Sequence, residues 1–260
     1  MFNNALKRMR MFFANLVGPK VATPAVGRIA GRFFGERMPF RGLTIDTSSP
    51  LITDLTRAAL LWRSYERAEH HYILRYLPRN RDVIELGGSI GVVTSAIGQR
   101  LEAGRRVRTV EADHRLVRLL ENNVQLNGVR DKVEIVKAAV SYAGTTVEFA
   151  IGEHNVGGSL AELGGDAEII KVPAVTLSAL LKDFPPGYSI VSDIEGAEWE
   201  MFEREGDLLA GAEMVVMELH DGSRGRWQDL LEIIRQDDRF EYIDNYGPVV
   251  VFQGGLRQDA

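Results

Sequence analysis

The chain contains no cysteine, and this absence removes several kinds of chemistry from consideration. A disulfide, a thiolate metal site and a cysteine nucleophile all require that residue. The absence fits a reducing compartment, so we expect the protein to work in the cytoplasm. No run of residues approaches the roughly 18 apolar residues that a membrane-spanning helix needs, and we expect no such helix.

The composition is that of an ordinary globular protein, but the charge is unevenly distributed. Of the 260 residues, 45% are hydrophobic and 26% are charged, which suits a domain with a buried core. Residues 1–41 contain eight Lys or Arg and one acid, a net charge of +7, so the remaining residues carry −12. Because phosphate backbones need a basic surface, the acidic body argues against a nucleic-acid partner.

The basic segment at the start of the chain has three possible interpretations. Met9, Phe12 and Leu16 have helical spacing and lie close to basic residues. A helix that packs on its own domain or on a second copy of the chain is the simplest reading, and an anionic membrane surface and a signal peptide are the alternatives. We predict a partly helical extension over residues 1–50 and one domain over residues 51–260.

Strand and helix patterns alternate along most of the chain. A helical pattern over residues 53–77 ends before Pro78, and the strand patterns that follow include RDVIEL, RVRTVEA, YSIVSDI and AEMVVMELH. This alternation indicates an α/β fold with a parallel sheet and helices on both faces. FEYIDNYGPVVVF predicts a terminal antiparallel hairpin. Ligands of such sheets bind at the carboxyl ends of the strands.

A glycine-rich turn follows the first of these strands. The stretch VIELGGSIG contains an acid, three glycines and a serine: Glu85, Gly87, Gly88, Ser89 and Gly91. A dinucleotide-binding turn requires Gly-x-Gly-x-x-Gly, but the second and third glycine positions hold Ser89 and Val92. The mismatch disfavours a pyrophosphate ligand. A nicotinamide-dependent oxidoreductase is therefore the alternative enzyme class rather than the favoured one.

The turn and the acid that ends the next strand suit a zwitterionic nucleoside. A bare backbone bend before a helix N-terminus suits a carboxylate. Glu111, at the end of the next strand, can accept hydrogen bonds from both hydroxyls of a ribose. S-adenosylmethionine carries both groups. The alternative is that the turn binds no ligand and is an ordinary β-α turn with two solvated acids.

A series of motifs resembles, in order, those of the FkbM-type methyltransferases. They are VIELGGSIG, VEADHRLVRLLENNVQLNGV, VEIVKAAVS, VTLSALL, SDIEGAEWEMF and VVMELH, and they cover roughly Arg63 to His220. The DIEGAE stretch, Asp193 to Glu198, is the most specific of them. Glu85, Ser89 and Ser178 depart from the family pattern, in which an aspartate, an asparagine and an acid are more usual.

The resemblance implies a class I, Rossmann-like fold with a mostly parallel seven-stranded sheet that binds S-adenosylmethionine. The glycine turn would line the methionine part of the cofactor, and Glu111 would hold its ribose. For Tyr65, a core aromatic on an amphipathic helix is an equal alternative. The residues that the resemblance assigns to the cofactor are Glu85, Gly87, Gly88, Ser89, Gly91, Glu111, Ala112, Ala138, Ala139, Asp193, Tyr65 and Glu66.

Four residues at two strand ends are the candidates for catalysis: Asp193, Glu195, Glu218 and His220. Methyl transfer from a sulfonium is an in-line displacement, and a hydroxyl acceptor must also lose its proton. His220, with an ordinary pKa of about 6.5, is the predicted general base. Glu218 shares its face of the strand and is predicted to orient it or to bind a metal. The set suits Mg²⁺, but spacing alone shows no convergence, so a metal-free site is favoured.

We therefore expect an S-adenosylmethionine-dependent methyltransferase that methylates a hydroxyl on a small molecule or glycan. Methylation at nitrogen is an alternative. The alternative from another class is a binding protein that keeps the fold without turnover. The expected partner is the acceptor, a second copy of the chain and a membrane surface are further possibilities, and a nucleic acid is not expected.

Overall fold

The structure is a computed structural model, and it describes residues 22–152, 158–159 and 168–255. The chain divides into two compact units, which meet along the sequence between Arg67 and Ala68. The boundary predicted near residue 50 stays a prediction, and the helical spacing around Phe12 lies outside the described residues. None of the helices in the described ranges has the length and apolarity that a bilayer crossing requires.

In its described part, residues 22–67, the N-terminal unit contains two helices and a hairpin. Its elements are α1 (Pro24–Phe34), β1 (Arg37–Phe40), β2 (Leu43–Asp46) and α2 (Asp54–Leu61). Helix α1 is capped by Thr23, whose hydroxyl accepts a hydrogen bond from the N–H of Val26 at 3.4 Å. Helices α1 and α2 approach so closely that a Cβ on Gly27 would lie 1.6 Å from the carbonyl oxygen of Asp54. Only glycine fits at this crossing.

The prediction of one helix over residues 53–77 is wrong. The chain forms α2 and a second helix, α3 (Arg67–Tyr76), with a turn between them. In this turn Arg63 and Glu66 adopt positive φ values of 57° and 39°. The hydroxyl of Ser64 donates to a carbonyl of the preceding helix at 3.3 Å, a local bond that competes with the helix ladder. Apolar spacing continues across the break, which is why the periodicity did not reveal it.

The C-terminal unit alternates strands and helices, as predicted. After α3, its elements are β3 (Val83–Leu86), α4 (Val92–Arg100), β4 (Val107–Glu111), α5 (His114–Leu126), β5 (Val133–Lys137), β6 (Ala139–Val140), β7 (Thr146–Ile151), β8 (Gly158–Ser159), β9 (Glu168–Val175), α6 (Leu177–Leu181), β10 (Ser189–Ser192), α7 (Glu198–Ala210), β11 (Met214–Glu218), α8 (Trp227–Gln236), β12 (Phe240–Tyr246) and β13 (Val249–Gly254).

Seven strands form the central sheet, in the order β12-β13-β11-β10-β3-β4-β5. The five strands from β11 to β5 are parallel, and β13 runs antiparallel to both of its neighbours. The predicted seven-stranded, mostly parallel sheet with a terminal antiparallel hairpin is confirmed. The chain adds β4 and β5 on one side of β3 and β10 on the other. The topological switch point therefore lies between β3 and β10.

Both faces of the central sheet are covered by helices. Ile84 of β3 belongs to a buried cluster with Met201 of α7 and residues of α8. Its neighbour Val83 points to the other face and belongs to a second cluster with Ile97 of α4. Successive strand residues point to opposite faces, so a strand that is apolar at both positions must be buried on both sides. The fold is the α/β class that the alternation predicts.

A second, four-stranded sheet was not predicted. Its order is β6-β9-β7-β8, and β6 continues from β5 after Ala138 but pairs with β9 instead of a central strand. The sequences of β7 and β9, TVEFAI and EIIKVPAV, are typical of strands. Their apolar patterns contain nothing that distinguishes a strand of the central sheet from a strand of a small neighbouring one.

The N-terminus of helix α6 is capped by a side chain of helix α7. The N–H groups of Leu177 and Ser178 donate to the carboxylate of Glu205 at 2.8 and 3.1 Å. Ser178 is one of the departures from the family pattern, and Glu205 supplies a carboxylate at the start of the helix that Ser178 lacks. Glu205 is therefore a capping residue of this helix.

The turn between β3 and α4 is packed against its own protein. A Cβ on Gly87, which has a φ of 90°, would lie 1.9 Å from the carbonyl oxygen of Asp193. A Cβ on Gly88 would lie 2.4 Å from the hydroxyl oxygen of Thr109 and 2.6 Å from a methyl carbon of Leu120. These two glycines are therefore required by the fold itself, whatever ligand the turn binds.

Glu85 is a carboxyl group inside the sheet. It is 1% exposed, and its Oε2 accepts a hydrogen bond from the hydroxyl of Thr94 at 2.6 Å. Burial raises the pKa of Glu85 from 4.5 to about 8, against the smaller effect of this hydrogen bond. The group is therefore protonated at neutral pH in the folded protein.

Gly87→Ala should lower the free energy of unfolding by about 2 kcal/mol more than Gly104→Ala. Both glycines have positive φ, 90° and 78°, so both substitutions strain the backbone by about 1 kcal/mol. Only at Gly87 does the new Cβ meet backbone, because nothing lies within 4 Å of a Cβ on Gly104. Urea denaturation of both variants measures the difference, and equal losses would contradict the collision.

Glu85→Gln should change the dependence of stability on pH. Because the folded pKa lies above the ordinary 4.5, the stability that the proton contributes is complete below pH 4.5 and is lost as the pH rises to about 8. Glutamine stays neutral, so the variant should gain stability relative to wild type across this window, by up to about 1.4 kcal/mol per pH unit. Denaturation at about pH 5 and about pH 8 tests this, with the surface variant Glu121→Gln as control. A constant difference between Glu85→Gln and wild type would refute it.

Candidate active site

The carboxyl ends of β3 and β10 are joined at the switch point. The N–H of Asp193, the first residue after β10, donates to the carbonyl of Leu86 at 2.8 Å. The carbonyl of the same Asp193 faces Gly87 of the glycine turn. The predicted cofactor turn and the predicted catalytic acids therefore meet at one point of the sheet edge.

Glu111, at the end of β4, is bonded to the glycine turn. Its Oε2 accepts a hydrogen bond from the N–H of Ser89, and its Oε1 accepts one from the N–H of Asp113, both at 2.7 Å. Burial raises the pKa of Glu111 to about 7, although both hydrogen bonds favour the charged form. The structure thus brings Glu111 and the turn together. That Glu111 holds a ribose stays a prediction.

Small residues lie beside Glu111. Ala138 and Ala139 are each 4% exposed, and the N–H of Ala138 donates to the carbonyl of Glu111 at 3.2 Å. Ala112 packs with Ala139 in a small apolar cluster that includes Phe149. This cluster forms an apolar neighbourhood next to the acid, the environment that the predicted adenine contacts need.

Tyr65 and Glu66 belong to the N-terminal unit. They lie in the turn between α2 and α3, where both are half-buried, and not on a helix as the periodicity predicted. Their predicted role in closing the cofactor pocket stays a prediction.

The DIEGAE stretch forms a tight loop between β10 and α7. Glu195 and Gly196 adopt positive φ values of 51° and 106°. Glu198, the first residue of α7, is fully buried, and its carboxylate accepts hydrogen bonds from the N–H of Gly196 at 3.0 Å and of Ile194 at 3.3 Å. A carboxylate at a helix N-terminus is favourably placed in the helix dipole. Glu198 therefore closes the loop that carries Asp193 and Glu195.

His220, just after β11, completes a cluster with these acids. Its Nδ1 lies 2.9 Å from Oε1 of Glu198. Its Nε2 lies 3.5 Å from Oδ1 of Asp193 and 3.5 Å from Oε2 of Glu195. Because an ionised carboxylate can only accept, the bond to Glu198 places a proton on Nδ1 and directs Nε2 at the other two acids.

The acids change the protonation of His220. Burial would lower its pKa, but the hydrogen bond to Glu198 and the charges of Glu198, Asp193 and Glu195 outweigh burial and raise it. The ordinary value of about 6.5 assumed for the general base is therefore wrong for this environment. Burial, followed by the charge of Glu218, raises the pKa of Asp193 to about 7. Near neutral pH the cluster holds an imidazolium beside a partly protonated Asp193.

Glu218 has a different partner from the predicted one. Its side chain shares a hydrogen bond with Glu69 of α3, and burial followed by this bond raises the pKa of Glu218. Two adjacent carboxyl groups form such a bond only when one of them carries a proton. The residue that orients His220 is therefore Glu198, and Glu218 is paired with Glu69.

Two buried acids of the site, Glu198 and Glu69, were missed by sequence reasoning. A signal was present in both helices. Glu198 has the i, i+4 spacing to Phe202 that places it on the buried face of α7, and Glu69 has the same spacing to Ile73 in α3. An acid on the apolar face of an amphipathic helix is costly unless it is paired. That position alone could have identified both as site residues.

The cluster also has the geometry of a cation site. Asp193, Glu195 and His220 each offer one ligand atom, and these atoms lie within 4.8 Å of one another. Oxygen ligands suit Mg²⁺, and a histidine whose other nitrogen is bonded to a carboxylate is a common metal ligand. The structure thus supplies the convergence that the spacing could not show, and Glu218 is not part of it.

The chain is similar to several solved structures. An O-methyltransferase from Bacillus cereus, in complex with SAH, is 14% identical, with 71% of this chain and 76% of that chain covered and a TM-score of 0.43. A precorrin-6Y C5,15-methyltransferase C-terminal domain from Rhodobacter capsulatus is 15% identical over 68% and 74%, with a TM-score of 0.41. Methanocaldococcus jannaschii Trm5 in complex with adenosine is 9% identical over 85% and 56%, with a TM-score of 0.45. Because all three TM-scores lie below 0.5, these structures do not show the function of this chain.

The sequence comparison is more informative. No curated protein sequence matches the chain significantly. The model of the methyltransferase FkbM domain matches residues 85–246, more than half of the chain. The matched range contains the glycine turn, Glu111, the DIEGAE loop and His220. The chain therefore belongs to the FkbM family of S-adenosylmethionine-dependent methyltransferases.

Proposed function

We propose that the protein is an O-methyltransferase that acts on a hydroxyl of a small molecule or glycan. The observation that carries the proposal is the junction at the switch point. Asp193 packs on Gly87 of the cofactor turn and lies 3.5 Å from Nε2 of His220. A hydroxyl acceptor needs both a methyl donor and a proton acceptor within one site.

The residues around the turn fit the cofactor of the family. The N–H groups of Ser89 and Asp113 donate to different oxygens of Glu111, and the carboxylate has further lone pairs for a ribose hydroxyl. The apolar neighbourhood of Ala138 and Ala139 suits an adenine ring. The cofactor supplies an activated methyl group on a sulfonium, so the protein has to position the acceptor and receive its proton.

His220 is the group to which we assign that proton. Glu198 holds Nδ1 protonated, so Nε2 is the nitrogen that faces the acceptor side of the site. The raised pKa of His220 opposes this role in the isolated protein. A nearby sulfonium charge would lower that pKa, because like charges disfavour each other. Bound cofactor would therefore shift His220 towards its neutral form.

The acidic lining favours an acceptor rich in hydroxyl groups. Asp193 and Glu195 face Nε2 of His220, and the pair of Glu69 and Glu218 lies at the end of β11. Carboxylates accept hydrogen bonds from sugar hydroxyls and repel phosphates. The C-terminal unit, residues 68–260, carries a net charge of −12. This balance supports a sugar or polyol acceptor over a nucleic acid.

Glu111→Gln should weaken S-adenosylmethionine binding by about 1–3 kcal/mol, roughly fivefold to 150-fold in Kd. The substitution removes the charge that accepts the ribose hydroxyls while it keeps the shape of the side chain. Isothermal titration calorimetry of wild type and variant measures the change, with Glu121→Gln, a surface acid of α5, as control. An unchanged Kd would show that the ribose lies elsewhere.

Glu198→Gln should shift the pH dependence of turnover. In the wild type, kcat should rise with pH as His220 loses a proton, with an apparent pKa above the ordinary 6.5 or so. Removal of the Glu198 charge lowers that pKa, so the rise should move to lower pH, and the loss of the fixed tautomer should reduce kcat by about tenfold to 100-fold. Glu200→Gln, on the same helix, should leave the profile in place. A profile that Glu198→Gln does not move would remove His220 from the proton transfer.

The acceptor itself is accessible to a labelling experiment. A host metabolite and glycan extract is incubated with the protein and methyl-deuterated S-adenosylmethionine, and products are identified by mass spectrometry. Label on a hydroxyl supports the proposal, label on an amine makes the enzyme an N-methyltransferase, and no label favours a binding protein. Parallel reactions with EDTA and with added Mg²⁺ test the metal, and activity that requires Mg²⁺ would place a cation at Asp193, Glu195 and His220.

A further inference from the structure

Helix α1 of the N-terminal unit has one buried face and one face that is exposed to solvent. Gly27 and Ala30 are buried, and Gly27 lies against Asp54 of α2. On the other side Ile29 is 66% exposed and Phe33 is 82% exposed. These two side chains are four residues apart, so they lie one above the other on the helix surface. They form an apolar ridge, Ile29 and Phe33, that is exposed to solvent.

Arginines border this ridge. Arg28 and Arg32 each precede a ridge residue in the sequence, are also four residues apart, and are exposed. Arg28 lies 3.6 Å from Asp54, but its side chain remains 64% exposed. The two arginines therefore run alongside the apolar ridge on the same outer surface of α1.

The whole N-terminal unit is basic and exposes further large apolar groups. Residues 1–67 contain eleven Lys or Arg and four acids, a net charge of +7. Leu55 and Trp62 are 52% and 51% exposed. A monomer normally shows such residues singly. Ile29 and Phe33 instead lie next to each other in a basic unit, and such a pair indicates a surface that contacts something apolar and anionic.

We infer that α1 docks on the surface of an anionic membrane. A helix with aromatic and aliphatic residues beside arginines lies in the headgroup region of a bilayer, with the apolar side chains inserted and the basic ones on the phosphates. The attraction of each arginine to anionic lipid adds to the apolar contribution. Ile29 and Phe33 supply the insertion, and Arg28 and Arg32 supply the charge.

Charge favours an anionic membrane over the two other candidates for covering the ridge, a second copy of the chain and residues 1–21. A symmetric pairing of the ridge with the ridge of a second copy would bring two units of +7 together. Residues 1–21 contain four Lys or Arg and no acid, so they carry the same sign as Arg28 and Arg32, which border the ridge they would have to cover. An anionic membrane surface is opposite in charge to the N-terminal unit and to residues 1–21. The inference goes beyond the proposed methyl transfer, since none of these residues belongs to the candidate active site.

Vesicle flotation with the full chain tests the docking. We expect the protein to float with vesicles of phosphatidylcholine and phosphatidylglycerol, to bind pure phosphatidylcholine vesicles much more weakly, and to dissociate as salt is raised. The double variant Ile29→Ser, Phe33→Ser should lower the affinity for anionic vesicles by about tenfold or more. Arg28→Gln with Arg32→Gln should lower it as well, without any change in the apolar residues.

The matched control removes two exposed apolar side chains from helices of the other unit. Leu74 and Ile233 are 50% and 42% exposed, and Leu74→Ser with Ile233→Ser should leave flotation unchanged. Thermal unfolding confirms that each variant is folded. The inference is overturned if wild type does not float, or if the α1 variants float as well as wild type, which would assign binding to another segment. Light scattering that shows a dimer dispersed by the ridge variant, without vesicle binding, would assign the face to a second copy.

Discussion

The backbone contact between the turn after β3 and the residue after β10 supports every other feature of the site. Asp193 donates its N–H to the end of β3 and presents its carbonyl to Gly87, so the two loops are fixed to each other by main-chain atoms. A main-chain contact does not depend on side-chain rotamers, and it holds the turn and the acid in a constant relative position. The side chain of Asp193 is thus left to point at His220.

Electrostatics at the site are organised around a fully buried carboxylate. Glu198 binds two N–H groups of its own loop and the imidazole of His220, so one side chain sets both the loop and the histidine. The dielectric constant inside a protein is low. A buried carboxylate without hydrogen-bond partners therefore destabilises the fold, and one with partners makes strong hydrogen bonds. Against the effect of burial, the hydrogen bond and the charge of Glu198 raise the pKa of His220, whereas burial, followed by the charge of Glu218, raises the pKa of Asp193.

The sequence was most informative where local pattern and tertiary structure agree. Strand ends, the glycine turn, Asp193 and His220 could be placed because a parallel sheet brings all carboxyl ends to one edge. The break at Arg63 and Glu66 could not be seen, because apolar spacing continues through it while the backbone turns. The pairing of Glu218 with Glu69 was equally hidden, since nothing in one sequence says which of several acids will share a proton with a distant helix.

The packing of the glycine turn has a consequence for comparing relatives. Gly87 and Gly88 are demanded by the carbonyl, hydroxyl and methyl groups that press on them from within the molecule. A descendant that had lost its enzymatic activity would still need both to fold. Their retention in another chain therefore says little about turnover, whereas the loss of Glu111 or Glu198 would be an early mark of a fold kept for some other purpose.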